Sequence, residues 1–158
     1  MGYKMTLIAV KDMEKAKQFY DEVLGVKVLE DYGAHVILEG GLALQTTRTW
    51  KDFIYKEEKE IIFQNNAGEL YFEEEDIEEF LQRLEKYKEI EYIHPLEEQP
   101  WGQRVIRFYD LDKHIIEVGE SISKVMERFL KQGLSIEETA IRMDVSVDYI
   151  KNCLEIRE

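Results

Sequence analysis

Residues Trp101 to Glu120 read WGQRVIRFYDLDKHIIEVGE, two apolar runs either side of a short polar break, and the rest of the chain can be parsed outward from them. Gln103 to Tyr109 is rich in β-branched and aromatic residues, as a strand favours. Asp110-Leu-Asp-Lys113 interrupts it with turn-forming residues, and the apolar run resumes from His114 to Gly119. Side chains alternate along a strand, so Ile115 and Glu117 share one face while His114, Ile116 and Val118 share the other. A carboxylate inside such a run, at Glu117, is costly unless it meets a partner, a ligand or water. Spacing alone leaves two readings open, a wet sheet face and a pocket.

The chain upstream repeats one pattern twice. Lys4 to Val10 is a short apolar run, read as a buried strand. Asp12 stands where an N-cap belongs, and Met13, Ala16, Phe19, Tyr20 and Val23 recur at helical spacing up to Gly25, a helix-ending glycine. Val26 to Glu30, Ala34 to Glu39 and Leu42 to Thr46 follow as three short strands, punctuated by Gly33 and Gly40-Gly41. After a more polar connection, Glu69 to Glu73 reads as a strand. Asp76 then caps a helix carrying Ile77, Phe80, Leu81, Leu84 and Tyr87 on one side. Ile90 to Ile93 and the Trp101–Gly119 hairpin complete a second β-α-β-β-β unit. One such unit leaves a sheet face uncovered, so two in one chain can pair around a shared surface.

The expected class is therefore α+β. Residues 1–46 and 68–120 form two βαβββ modules building a curved mixed sheet around a shared pocket. Residues 47–67 connect them, with Trp50, Phe53, Tyr55 and Phe63 laying aromatic surface on the body or over a pocket mouth; long loops of this kind are often functional. Residues 121–158 are a helical extension. Within it, Ile122, Val125, Met126 and Phe129 mark one helix ended by Gly133, Ser135-Ile-Glu-Glu138 is a capping box opening a second, and Ser146 to Leu154 reads as a third.

Bulk composition narrows the function. A formal charge of −13 argues against nucleic acid, whose phosphates would repel such a surface. The last two tail helices have helix-turn-helix spacing, yet residues 121–158 hold six basic against seven acidic residues, too few cations for phosphate contact. A packing or dimerising role suits the tail better. A single cysteine, Cys153, suits a reducing compartment. Met1 to Val10 is too short and too soon followed by charges for a secretory leader, and no run approaches a membrane span. The expectation is a soluble cytoplasmic protein.

The closing hairpin resembles that of the vicinal oxygen chelate superfamily, which includes glyoxalase I, bleomycin-resistance proteins, fosfomycin-resistance enzymes and extradiol dioxygenases. That family ends its unit with a strand, a D-P-D-G-like turn and a strand holding I-E-L/V; here these are Asp110-Leu-Asp-Lys113 and Ile116-Glu117-Val118. The opening is similar too, with Val10-Lys-Asp12, Phe19-Tyr20 and Leu24-Gly25 matching the family's V-x-D, F-Y and L-G. The resemblance spans roughly Lys4 to Glu120.

In glyoxalase-type members four strands each supply one metal ligand. The resemblance carries those positions onto Met5, Gln45, Glu69 and Glu117, so both family histidines are replaced. A borderline ion such as zinc or nickel favours imidazole. Gln45, Glu69 and Glu117 could offer oxygens to magnesium or manganese, but the Met5 thioether suits neither. The expectation is no metal and no other cofactor, with a divalent ion on Gln45, Glu69 and Glu117 as the alternative.

Without metal, the same positions can line a ligand cavity, as in the bleomycin-resistance branch. Alternation adds Tyr71 beside Glu69 and places Arg107 with Tyr109. Arg107 could pair Glu69 or Glu117, or grip an anionic ligand, or form a plain surface salt bridge. Trp101 and Trp50 are candidate ring walls, with Trp50 more readily core. Two carboxylates, Glu69 and Glu117, could also serve proton transfer. His35, His94 and His114 read as structural or surface residues.

The primary expectation is thus a metal-free, homodimeric protein that binds a small molecule on Met5, Gln45, Glu69, Tyr71, Trp101, Arg107 and Glu117. One alternative is a metal-dependent lyase, isomerase or dioxygenase with Glu117 and Glu69 catalytic. A ligand-sensing regulatory module with a helical tail is the other.

Overall fold

The computed structural model describes residues 1–155. These form two compact units: Met1–Ala67 with Asp110–His114, and Gly68–Tyr109 with the chain from Ile115 onward.

In the first unit, β1 (Thr6–Val10), α1 (Met13–Glu22), β2 (Val28–Asp31), β3 (His35–Leu38) and β4 (Leu42–Thr46) are followed by α2 (Thr47–Phe53). The sheet order is β1-β4-β3-β2, with β1 parallel to β4 and the other pairs antiparallel. The Asp12 carboxylate accepts from the Lys15 amide at 3.1 Å, so the cap predicted for α1 forms. Even-numbered sheet residues Val10, Val36, Leu38, Leu42 and Leu44 are buried, as are Met13, Ala16, Phe19, Tyr20 and Val23. The Asp110–His114 turn is tied down by Asp110: Tyr20 Oη donates to its Oδ2 at 2.8 Å, and the amides of Asp112 and His114 donate to Oδ1. Burial, then the Asp110 charge, pushes the Tyr20 hydroxyl well above the usual tyrosine range.

The second unit repeats the plan with β5 (Glu69–Glu74), α3 (Ile77–Leu84), β6 (Tyr92–Glu98), β7 (Arg104–Tyr109) and β8 (Ile115–Glu120). Its order, β5-β8-β7-β6, reproduces that of the first sheet strand for strand, again with the first strand parallel to the last. The internal repeat read from the sequence is therefore real. The class is α+β, with two four-stranded mixed sheets, a helix after the first strand of each, and C-terminal helices. Those helices are α4 (Ile122–Lys131), α5 (Ile136–Met143) and α6 (Val147–Glu155). They close a core of their own from Val125, Met126, Phe129, Ala140, Met143 and Ile150. Ser135 and Glu138 form the expected reciprocal capping box, and Asp144 turns the chain between α5 and α6 in the left-handed conformation.

Two elements differ from the sequence reading. β6 runs on to Glu98 through Pro95, where the pattern suggested a loop after Ile93. It is an edge strand, and its register slips on both sides of His94, so a proline there forfeits no ladder bond the sheet needs. α2 lies inside the segment read as an irregular connection. Its seven residues TRTWKDF include two β-branched threonines in the first turn, a weak helix signal. Thr47 instead donates to the Val10 carbonyl at 2.9 Å. No helix among the described residues is long and apolar enough to cross a membrane.

Candidate functional site

In the second sheet, cross-strand register assembles a polar face from residues scattered in sequence. Glu117 lies opposite Tyr71 of β5 and opposite Arg107 of β7; Arg107 lies opposite His94 of β6. Partners across a ladder point the same way, so these side chains share the face that the buried residues Ile106, Phe108, Ile116 and Val118 do not. The Glu69, Glu73 and Gly119 positions continue it by alternation.

Arg107 is the hub of this face. Its Nε donates to Glu69 at 3.0 Å, Nη2 is in ion-pair contact with Glu117 Oε2, and Nη1 meets His94 Nε2 at 3.1 Å. The other His94 ring nitrogen lies 2.7 Å from the Pro95 carbonyl, which can only accept. Nδ1 therefore carries the hydrogen and Nε2 accepts from the guanidinium. Glu117 is 5% exposed, and its Oε2 accepts no hydrogen bond from any other described residue. A buried carboxylate held by one guanidinium is costly to disturb.

Trp101 and Tyr71 border the same face through Gln103. The Trp101 indole donates to Gln103 Oε1 at 3.1 Å, and Gln103 Nε2 donates to Tyr71 Oη at 2.8 Å and to the Glu120 carbonyl at 2.9 Å. A Cβ at Gly119 would stand 2.7 Å from Gln103 Nε2, so glycine is what admits this side chain. Tyr71 Oη donates onward to Glu73 at 3.0 Å. Burial raises the Tyr71 hydroxyl, the Gln103 bond partly offsets this, and Glu73 adds to the rise.

The first unit has its own polar chain on the face away from α1. Gln45, 2% exposed, lies opposite Ala9 of β1 and His35 of β3. Gln45 Oε1 is 2.9 Å from His35 Nδ1, its Nε2 donates to Thr49 of α2 at 2.5 Å, and Thr49 donates to the Thr46 carbonyl at 3.1 Å. Met5 is not brought to Gln45. It precedes β1, and the register Thr6–Leu42 puts it level with Gly41, four residues or about 13 Å along the strand. Trp50 lies half-buried on α2.

The second unit therefore gathers Glu69, Tyr71, Trp101, Arg107 and Glu117 along one sheet face. Two residues of these arrangements were not singled out: Gln103 and Thr49. Gln103 was the more accessible, since it lies in phase with Val105 and Arg107 one step before the strand. His35 and His94, read as structural, prove to be hydrogen-bonded members of polar chains.

Glu69 and Glu117 do not fit a divalent ion as arranged. Both carboxylates are engaged by one guanidinium, and a cation added beside Arg107 meets like-charge repulsion at close range. Among the described residues, no three His, Cys, Asp or Glu side chains converge as an ion would require.

Comparison with known proteins places the chain. Residues 3–123 match the family model described as a glyoxalase-like domain. The chain belongs to that family. Its fold matches a protein of unknown function from Agrobacterium tumefaciens str. C58 at 40% identity and TM-score 0.69, covering 77% of this chain and 95% of that one. A glyoxalase/bleomycin resistance protein/dioxygenase family enzyme from Burkholderia phytofirmans PsJN aligns with TM-score 0.66 at 11% identity, covering 77% and 100%. A member of the same superfamily from Sphaerobacter thermophilus DSM 20745 aligns with TM-score 0.56 at 24% identity, covering 77% and 98%. At those two identities the likeness speaks for the fold alone. No functionally curated protein matches the chain. The glyoxalase-like domain ends within the first turn of α4, so α5 and α6 lie beyond it.

Proposed function

We propose that this glyoxalase-like protein binds a small aromatic molecule without a metal ion, on the polar face around Arg107. The observation that carries the reading is the Arg107 guanidinium engaging both Glu69 and Glu117, the two positions in this unit onto which the superfamily resemblance carries metal ligands. The protein's own cation does the charge-balancing that an ion would otherwise do. Tyr71 and Trp101, 47% and 39% exposed, supply aromatic surface at its border, as small-molecule sites commonly do. Glu69 and Glu117 together carry more charge than Arg107 balances, and Glu73 lies beside Tyr71 rather than on that guanidinium. The chain as a whole is strongly acidic, so the Tyr71–Trp101 border of the face, away from Arg107, favours an aromatic cation over an aromatic anion.

The test is thermal shift with Mn²⁺, Ni²⁺ and Zn²⁺, elemental analysis of protein purified without chelator, and a screen of aromatic ammonium and carboxylate compounds with proflavine as reference cation. The expected result is no tightly held ion, no metal-dependent stabilisation, and proflavine binding that weakens at least tenfold in Glu117→Ala. About one ion per chain, lost in Glu117→Ala, overturns the reading.

A further inference from the structure

The C-terminal helices have a core of their own, yet they reach into the second sheet through two arginines aimed at one loop. That loop, Gln99–Gln103, joins β6 to β7 and carries Trp101. Arg142 of α5 donates to the Pro100 carbonyl and pairs with Glu98 at 2.6 Å. Arg128 of α4 donates to the Gly102 carbonyl, pairs with Glu98 at 3.2 Å and with Glu120 at 3.0 Å. The carbonyls on both sides of Trp101 are thus held by tail guanidiniums. Both arginines also lie over the Phe129 ring, at 4.9 and 5.3 Å from its centroid. Phe129 in turn sits against Gly102, where φ is +88° and an added Cβ would overlap the ring.

Held at both neighbours, Trp101 has its indole fixed by Gln103, which also binds Tyr71 on the polar face. We propose that the C-terminal helices set Trp101 as a wall of the ligand face, with Arg128 and Arg142 as positioning residues. The proposal rests on the reading of that face as the ligand site. Beyond packing Phe129 against Gly102, the tail places charge-assisted hydrogen bonds on a loop backbone, which fixes geometry in a way that apolar contact alone does not.

The experiment uses the full chain in a Trp50→Phe background, so that Trp101 is the sole emitter of the two tryptophans. Acrylamide quenching and the indole Nε1–H resonance of Trp101 are compared in the parent, Arg142→Ala and Arg142→Lys, alongside proflavine titration. In Arg142→Ala the quenching constant rises at least twofold, the indole resonance shifts, and the proflavine Kd rises about fivefold. Lysine, with one ammonium in place of a fork, gives intermediate values. Adding Trp101→Ala removes the effect of Arg142→Ala on Kd. Glu98→Ala strips the carboxylate shared by both arginines without altering the tail, and is read in the same way should Arg142→Ala lose its cooperative melt.

Unchanged quenching in a folded Arg142→Ala variant overturns the proposal. So does a Trp101 released from its loop while proflavine affinity stays the same, a result that leaves the ligand face intact. A parent protein that binds no proflavine and no other aromatic compound overturns the ligand-face reading, and the wall with it, even where quenching shows Trp101 gripped by the tail.

Discussion

Arg107 and Glu117 are register partners across the β7–β8 ladder, and the guanidinium of one is the ion-pair partner of a carboxylate that keeps 7% of its side-chain exposure. The two side chains emerge from neighbouring strands on the same face, so the pair is set by backbone geometry rather than by chance encounter of long side chains. Its energetics are asymmetric: the pair itself is worth little, whereas either half alone leaves a charge in a poor medium.

Arg107→Met is therefore expected to destabilise the protein by about 2–3 kcal/mol. This is less than the ~3–5 kcal/mol of a fully buried pair, because the guanidinium retains 28% of its exposure. Arg107→Met/Glu117→Met should recover most of the loss, since it removes both charges and fills the space with apolar atoms. Urea denaturation of the two single variants and the double variant measures the coupling directly. Additive losses would show that the two groups do not depend on each other.

A second expectation follows from treating Arg107 as the resident cation. Truncating it in Arg107→Ala leaves Glu69, Glu117 and the His94 ring facing a space that held positive charge. As placed in the parent these three do not converge on one point, so the site requires their side chains to close into the vacated space; the set is then two carboxylates and one imidazole, acceptable to Mn²⁺ or Zn²⁺. The variant should gain a metal-dependent rise in melting temperature that the parent lacks, and lose it again in Arg107→Ala/Glu117→Ala. A parent that responds to the same ions as strongly as the variant would sink the idea.

Much of this site was legible in the chain. Period-two alternation on either side of the Asp110–Lys113 turn put Glu117 with Ile115 and Arg107 with Tyr109, and the caps at Asp12, Asp76 and Ser135 located three helices. What alternation cannot supply is register. It says which residues share a face of one strand, and nothing of which residue lies opposite on the next. His94 is the clearest case, since Pro95 reads as a strand breaker while the edge of a sheet tolerates it. Met5 shows the converse: counting back from Asp12 is sound for phase, but only the β1–β4 pairing reveals how far it lies from Gln45. The Trp101 clamp depends on contacts between residues more than 25 positions apart, which no local pattern encodes.

Gln45 gives a third prediction. Its amide stands between His35 and Thr49, accepting from one and donating to the other, in a site it leaves 2% exposed. Gln45→Leu keeps the volume but strips two part-buried groups of their partner, at a cost of about 1–3 kcal/mol. Urea denaturation measures the loss, and a Gln45→Leu variant as stable as the parent would show that neither contact carries weight.

The last prediction concerns acid. Glu120 is 3% exposed, and burial alone would raise its carboxyl. Hydrogen bonds from Arg104, at 3.1 Å through both Nε and Nη2, and from Arg128 outweigh burial and bring it below the usual glutamate range. A folded-state pKa below the unfolded value of about 4.3 means that the stabilisation is present above that pH and disappears as pH falls through the folded value. Glu120→Gln should therefore cost about 2 kcal/mol near pH 7. The gap between parent and variant should narrow steadily from pH 5 to pH 3, as the parent carboxylate protonates and comes to resemble the amide. Urea midpoints at pH 7, 5, 4 and 3 provide the measurement. A gap that stays constant across that range would mean Glu120 acts through shape alone. Since Glu120 joins Arg128 of α4 to Arg104 of β7, the same titration should loosen the tail, and Trp101 quenching in the Trp50→Phe background should rise over the same pH window.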